Sequence, residues 1–282
     1  MSAIAKAHVA RLYFERGLTK SEIATSLGIS RFRVARLLDQ ARSEGIVRIE
    51  IRDEPELDEA AGAALERAFA LRLALVPRRP EDLAAVAAAW LPQLVRPDDV
   101  VGVAWGATLQ AVADALPPLE LGVTVVQVCG AVPGLEPGTG PVELALRFGE
   151  RLGGQAVPLP APALASRAAR DELLANDALR PALDLFPRVS TVLVGIGPRS
   201  PGLRLPRGCV GHVLVHSFDA EGRCIESGLA ERAISLGLDE LRRARVVAVA
   251  GGAAKEAAVA GALRTGLLDV LVTDARCAEA AL

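Results

Sequence analysis

Lys255 is one of only three lysines in this chain, with Lys6 and Lys20, and it stands just after the glycine pair Gly251-Gly252. An ammonium at a glycine-rich helix start is a compact point charge suited to neutralising a bound phosphate. Gly252 and Lys255 are therefore candidate anion ligands. A second cradle is legible in Gly102-Val103-Ala104-Trp105-Gly106-Ala107-Thr108, where an apolar strand runs into a helix. Gly106 allows close backbone approach, the N–H groups from Ala107 onward sit at the positive end of the helix dipole, and Thr108 adds a hydroxyl. Gly195-Ile196-Gly197 supplies a third flexible strand end, with Gly197 at its tip.

A different chemistry is written between Thr19 and Gln40, TKSEIATSLGISRFRVARLLDQ. Thr19 and Glu22 have the spacing of a capping box, Gly28 suits a left-handed turn, and Ser30 is a good N-cap for a helix from Arg31. Val34, Leu37, Leu38 and Ala41 form one apolar stripe, which leaves Arg33, Arg36 and Gln40 pointing elsewhere. This is the division of labour of a helix-turn-helix whose second helix meets base edges and phosphates. Lys20, Ser21, Ser30, Arg31, Arg33 and Arg36 are the expected DNA contacts, with Arg33 the base reader and Arg36 a phosphate anchor.

Cys209, His212, His216 and Cys224 include metal-ligand residue types. Val213-Leu214-Val215 between the histidines argues for an extended strand, which would hold positions 212 and 216 about 13 Å apart, too far to share one zinc. No metal and no cofactor is expected. The four cysteines, Cys129, Cys209, Cys224 and Cys277, are scattered without CxxC pairing and predict reduced thiols.

These residues need elements to hold them. Ala3 to Arg16 predicts a leading helix with Ile4, Val9, Leu12 and Tyr13 packed beneath the reading pair. Ile46 to Ile51 alternates like a short winged strand. Acid and proline at 53–56 mark a boundary, and Leu57 to Phe69 reads as a connecting helix. Residues 1–53 are expected to form the helix-turn-helix domain and 54–282 an effector-binding and oligomerisation domain. Beyond the boundary, apolar runs at 71–76, 99–104, 123–128, 191–196, 210–215, 246–250 and 270–272 alternate with alanine-rich helical stretches at 83–94, 108–116, 142–152, 167–176 and 255–264. That alternation predicts an α/β domain with a mostly parallel, Rossmann-like sheet and ligands beyond the carboxyl ends of its strands.

Charge fits this division. The formal net charge is −2, yet residues 1–52 carry 10 Lys+Arg against 5 Asp+Glu, and the remainder 22 against 29. A modestly basic reader joined to an acidic domain is the pattern of a nucleic-acid module carried by a partner domain with no need for polyanions. Neither a run of roughly 20 apolar residues nor a signal-peptide core is present, which predicts a cytoplasmic protein with no membrane partner.

LTKSEIATSLGISRFRVARLLDQARSEGIVRIEI, VGVAWGATL, VELALRFGERLGG, LPAPAL, VLVGIG and VVAVAGGAAKEAAVAGALRTGLLDVLVTD, in this order, resemble the SorC family of bacterial sugar-responsive transcriptional regulators. The resemblance covers almost the whole chain. It implies a phosphosugar-isomerase-like effector domain that binds a phosphorylated sugar, a homodimer or homotetramer, and double-stranded operator DNA as partner. It singles out Gly106, Thr108 and Lys255 for the phosphate and adds Glu143 and Arg147 of VELALRF as effector contacts. Many relatives have Gly-Asp where this chain has Gly211-His212, a change that would alter recognition of sugar hydroxyls. The alternative is a sugar-phosphate isomerase-like enzyme with an accessory DNA-binding domain. Such an enzyme needs an acid/base pair at the reacting carbons. Glu143, Asp219 and Asp269 could contribute, but no compact carboxylate-histidine signature emerges, so no enzyme is expected.

Overall fold

The computed structural model describes residues 3–48, 55–198, 203, 205–226 and 228–282. It divides into two compact units, 1–54 and 55–282. In the first, α1 (Ala3–Phe14), α2 (Lys20–Leu27) and α3 (Arg31–Ser43) close on a core of Val9, Leu12, Ile23, Ala24, Val34, Leu37, Leu38 and Ala41.

The start of α2 is fixed by the reciprocal cap. The Thr19 N–H donates to Glu22 Oε2 at 2.8 Å, and the Glu22 N–H donates to Thr19 Oγ1 at 3.3 Å. These hydrogen bonds hold the Glu22 carboxyl below the usual glutamate range. The helix ends at Gly28 with φ +63°, where the Ile29 N–H reaches back to the Ala24 carbonyl at 3.0 Å. A Cβ in that left-handed conformation is strained, so the turn favours glycine. Ser30 Oγ then accepts from the Arg33 N–H at 3.2 Å and opens α3.

Two expectations for this unit need correction. Ile4 is 80% exposed rather than packed, because five residues of α-helix rotate it about 140° from Val9. As for the wing, Ile46 and Val47 form a bend rather than strand, Arg48 is in no strand either, and 49–51 lie outside the described residues.

In the second unit the helices are α4 (Glu59–Phe69), α5 (Leu83–Leu94), α6 (Ala107–Ala115), α7 (Pro141–Arg151), α8 (Arg167–Leu174), α9 (Arg180–Leu183), α10 (Leu238–Arg243), α11 (Glu256–Arg264) and α12 (Ala275–Ala281). The strands are β1 (Leu73–Leu75), β2 (Val100–Val103), β3 (Thr124–Gln127), β4 (Gln155–Val157), β5 (Val189–Gly195), β6 (Gly211–Val213), β7 (His216–Phe218), β8 (Arg245–Val249) and β9 (Val270–Val272). All strands but β6 and β7 form one parallel sheet of order β1-β9-β8-β5-β2-β3-β4. β2 is buried along its whole length, as a continuous valine-rich run covered on both faces should be. The half-exposed edge strand β4 and the short helices α9, α10 and α12 were not foreseen.

The sheet order has one consequence for function. From β2 the chain winds outward through β3 to β4, whereas β5 lies on the other side of β2 and leads to β8 and β9. Neighbouring connections therefore leave the carboxyl ends of β2 and β5 in opposite directions, opening a crevice at this switch point.

The run 210–215 departs most from expectation. It is not a continuous strand: Leu214, with φ +52°, and Val215 turn the chain into the antiparallel hairpin β6–β7. His212 pairs with Ser217 and Val213 with His216. Successive residues of a strand face opposite sides, so the two imidazoles emerge on opposite faces of the hairpin even though they are near in space. Among the described residues no cluster suited to a metal ion forms.

Removing the cap hydroxyl tests the local logic of the reader. Thr19→Ala is expected to cost about 1 kcal/mol, seen in the full-length protein as roughly fivefold faster hydrogen exchange of α2 amides with α7 amides unchanged.

Candidate functional site

The β2–β5 crevice holds a cavity of about 390 Å³. Three strand ends converge on it. Ala104 to Thr108 follow β2, Gly195 to Gly197 close β5, and Lys255 comes from the turn after β8. The Lys255 Nζ donates to Thr108 Oγ1 at 3.0 Å across this crevice. Among the described residues no carboxylate forms a salt bridge with this ammonium. Burial holds Lys255 below the usual lysine range, against the opposing pull of Cys277 and Asp274.

Gly106 has φ +119° and ψ 158°, a region open essentially only to glycine, and nothing lies where a Cβ would point. Its N–H is already committed to the Thr139 carbonyl at 2.9 Å. What remains is the first turn of α6, which starts without a side-chain cap. The N–H groups of Ala107 and Thr108 are thus the donors available to an anion.

The loop after β3 forms another wall. Buried Gln127 fixes its departure by donating to the Cys129 carbonyl at 2.6 Å and accepting from the Leu159 N–H at 2.8 Å. Leu135, Glu136 and Thr139 then reach the cavity, with Thr139 Oγ1 donating to the Glu136 carbonyl at 2.7 Å. The hairpin makes the facing wall. Gly197 and His212 form an antiparallel bridge, and His212 lies 23° from parallel with Trp105, ring centroids 6.4 Å apart. His212 Nδ1 is 2.9 Å from the Leu214 carbonyl. A carbonyl only accepts, so the proton is on Nδ1.

Of the residues proposed from sequence, Gly106, Ala107, Thr108, Gly197 and Lys255 line the cavity together. Gly252, Glu143 and Arg147 do not. The Gly252 N–H donates instead to Asp274 Oδ2 at 2.5 Å, while Asp274 Oδ1 caps α12 through the Cys277 N–H at 2.9 Å. Gly252 thereby shapes the turn that delivers Lys255. Arg147 pairs with Asp114 of α6 at 2.6 Å, and Glu143 is exposed. Leu135, Glu136, Thr139 and Leu214 were missed. They sit on an irregular loop and a tight hairpin, for which periodicity gives no signal.

On the first unit the candidate DNA contacts gather in two depressions. Lys20, Ser21 and Arg31 surround one with Tyr13, over whose ring the Lys20 Nζ stands 5.9 Å from the centroid. Arg33 and Arg36 line the other with Phe32, Leu37 and Gln40. Ser30 remains exposed, with its oxygen in the cap.

The family described as "Putative sugar-binding domain" matches residues 54–282. The deoxyribonucleoside regulator of Bacillus subtilis is 29% identical, with 96% of this chain and 95% of that protein covered. The sorbitol operon regulator of Klebsiella pneumoniae is 26% identical over 96% of this chain and 95% of its own. The full-length structure of that regulator, SorC, superposes with a TM-score of 0.72 at 25% identity, covering 98% of this chain and 97% of that one. The chain belongs to the sugar-binding domain family and, over both of its units, to the SorC family of transcriptional regulators.

Proposed function

We propose that the protein is a sequence-specific regulator of carbohydrate genes whose DNA binding is switched by a phosphorylated sugar held in the β2–β5 cavity. The observation that carries the effector half is the Lys255–Thr108 contact beside the uncapped start of α6. An ammonium, a hydroxyl and free helix N–H groups converge there, complementary to a phosphate monoester. The sugar would extend toward Trp105, His212 and Leu135. The reader half rests on α3, with Arg33 and Arg36 on an exposed face of the helix. A homodimer or homotetramer would present several such readers to pseudo-palindromic operator DNA, which suits the modest basic excess of one copy. The proposed setting is the cytoplasm. Among the described residues no helix is long and apolar enough to cross a membrane.

The enzyme alternative has less support. Glu143 lies on the surface. Asp219 binds the Arg223 N–H and guanidinium, and Asp269 accepts from the Val246 N–H at 2.9 Å. None of the three lines the cavity, and an isomerase needs a proton-transfer pair at the reacting carbons.

A thermal-shift series tests the effector assignment by pairing phosphorylated sugars with their unphosphorylated parents. Stabilisation is expected only from phosphorylated members. Lys255→Ala should weaken binding roughly ten- to hundredfold, the loss of a charged hydrogen-bond partner. A series in which no phosphosugar stabilises the wild type, or in which Lys255→Ala leaves the shift intact, overturns the assignment.

The pH profile has a definite sign. Affinity should rise as pH passes the second phosphate ionisation near about 6. It should fall again as pH climbs through the depressed Lys255 pKa, because the complex keeps a proton on Nζ that the free protein loses. Lys255→Ala should lack the alkaline limb when binding is followed by calorimetry.

For the reader, Arg33→Ala should reduce the preference for operator over scrambled DNA by about 1–3 kcal/mol. Arg36→Ala should weaken both alike and make the slope of log K against log salt shallower by about 0.9. Unchanged preference in Arg33→Ala would remove the base-reading role.

A further inference from the structure

Phe32 is the second residue of α3 and is 89% exposed, the most exposed large apolar side chain among the described residues. It plays no part in closing the reader, whose core uses Val34, Leu37, Leu38 and Ala41 of the same helix. Another exposed aromatic of the unit is accounted for: Phe14 packs edge-on to Tyr13 at 5.0 Å and lies beneath the Arg42 guanidinium at 5.6 Å. Among the described residues Phe32 has no such ring or cation partner.

Its surroundings define what can cover it. Phe32 shares its depression with Arg33, Arg36 and Gln40, and Phe32 and Arg36 are neighbours one helical turn apart. A wet phenyl ring framed by two guanidinium groups and an amide is poorly suited to a second copy of the same cationic face. It suits a polyanion that presents apolar groups among acceptors. Duplex DNA does so in the major groove, where the thymine 5-methyl is the one apolar group on the base edges. The N-terminal residues of a recognition helix are those that reach these edges.

We infer that Phe32 is a specificity-determining residue that packs on the 5-methyl group of a thymine beside the positions contacted by Arg33 and Arg36. This rests on the DNA-reading role of α3 and adds to it a base preference that neither arginine can supply. An arginine fork selects guanine, whereas an apolar ring selects thymine by its methyl group and not by hydrogen bonds.

The test separates the two levels. The preferred duplex is first obtained by in vitro selection with the full-length protein, and each thymine is then replaced singly by deoxyuridine, which deletes only the methyl. Wild type should lose about fourfold in affinity at one thymine of each half-site, the value of one buried methyl group. Phe32→Ala should bind the thymine duplex more weakly by a similar factor and no longer distinguish it from the uracil duplex, with an unchanged melting temperature because the ring is on the surface. Phe32→Leu should retain part of the discrimination. Methyl-independent binding by wild type, or discrimination in Phe32→Ala equal to wild type, overturns the inference while leaving the reader intact. Failure of wild type to select any sequence removes the DNA-reading role and this inference with it.

Discussion

One hydrogen bond spans the opening on which the effector unit depends: the Lys255 ammonium donates to the Thr108 hydroxyl. It joins the turn after β8 to the helix after β2, with β5 lying between the two strands in the sheet. A cation at this place is costly to hold, since burial strips water from it and depresses its pKa. Thr108 returns only a neutral acceptor. The site is thus charged and incompletely solvated, a state that an anion relieves more than a neutral ligand would.

The backbone around that cation is arranged to keep it there. Asp274 ties down Gly252 and caps α12 with its two oxygens, so the turn carrying Lys255 is anchored to the strand end of β9. On the other side the Gly106 N–H is bound to Thr139, which links the start of α6 to the loop that supplies Leu135 and Glu136. Gly106 itself holds a backbone conformation that other residues reach only with strain. Preorganisation of this kind lowers the entropy lost when a ligand is ordered.

The sequence disclosed these features unevenly, and the reasons are physical. The capping box and the glycine turn of the reader depend on contacts three to five residues apart, so their spacing alone predicts the observed hydrogen bonds. The buried parallel strands announce themselves as valine-rich runs. By contrast, Gly252 reads in the sequence as part of a glycine-rich helix start beside Lys255, but only the fold reveals that its N–H is held by Asp274. Arg147 and Glu143 lie on an amphipathic helix whose outward face carries no information about its neighbours. The hairpin at Leu214 was hidden because Val213, Leu214 and Val215 all favour strand locally, and a leucine at positive φ is an arrangement that tertiary packing must impose.

The same hairpin bears on selectivity. By bridging Gly197, it carries His212 to the cavity and sets its ring against Trp105. With Nδ1 donating to the Leu214 carbonyl, the imidazole is held in place as a flat partner for the indole rather than a carboxylate. A carboxylate at this wall would accept hydrogen bonds from two hydroxyls and repel a phosphate placed nearby. The imidazole does neither. If the cavity holds a phosphosugar as proposed, a ring in place of an acid would shift recognition from hydroxyl counting toward shape and apolar contact, while the charge that would select phosphate stays with Lys255. On the proposed reading, the two ends of the cavity can change independently: one fixes the class of effector, and the other decides which member of that class is admitted.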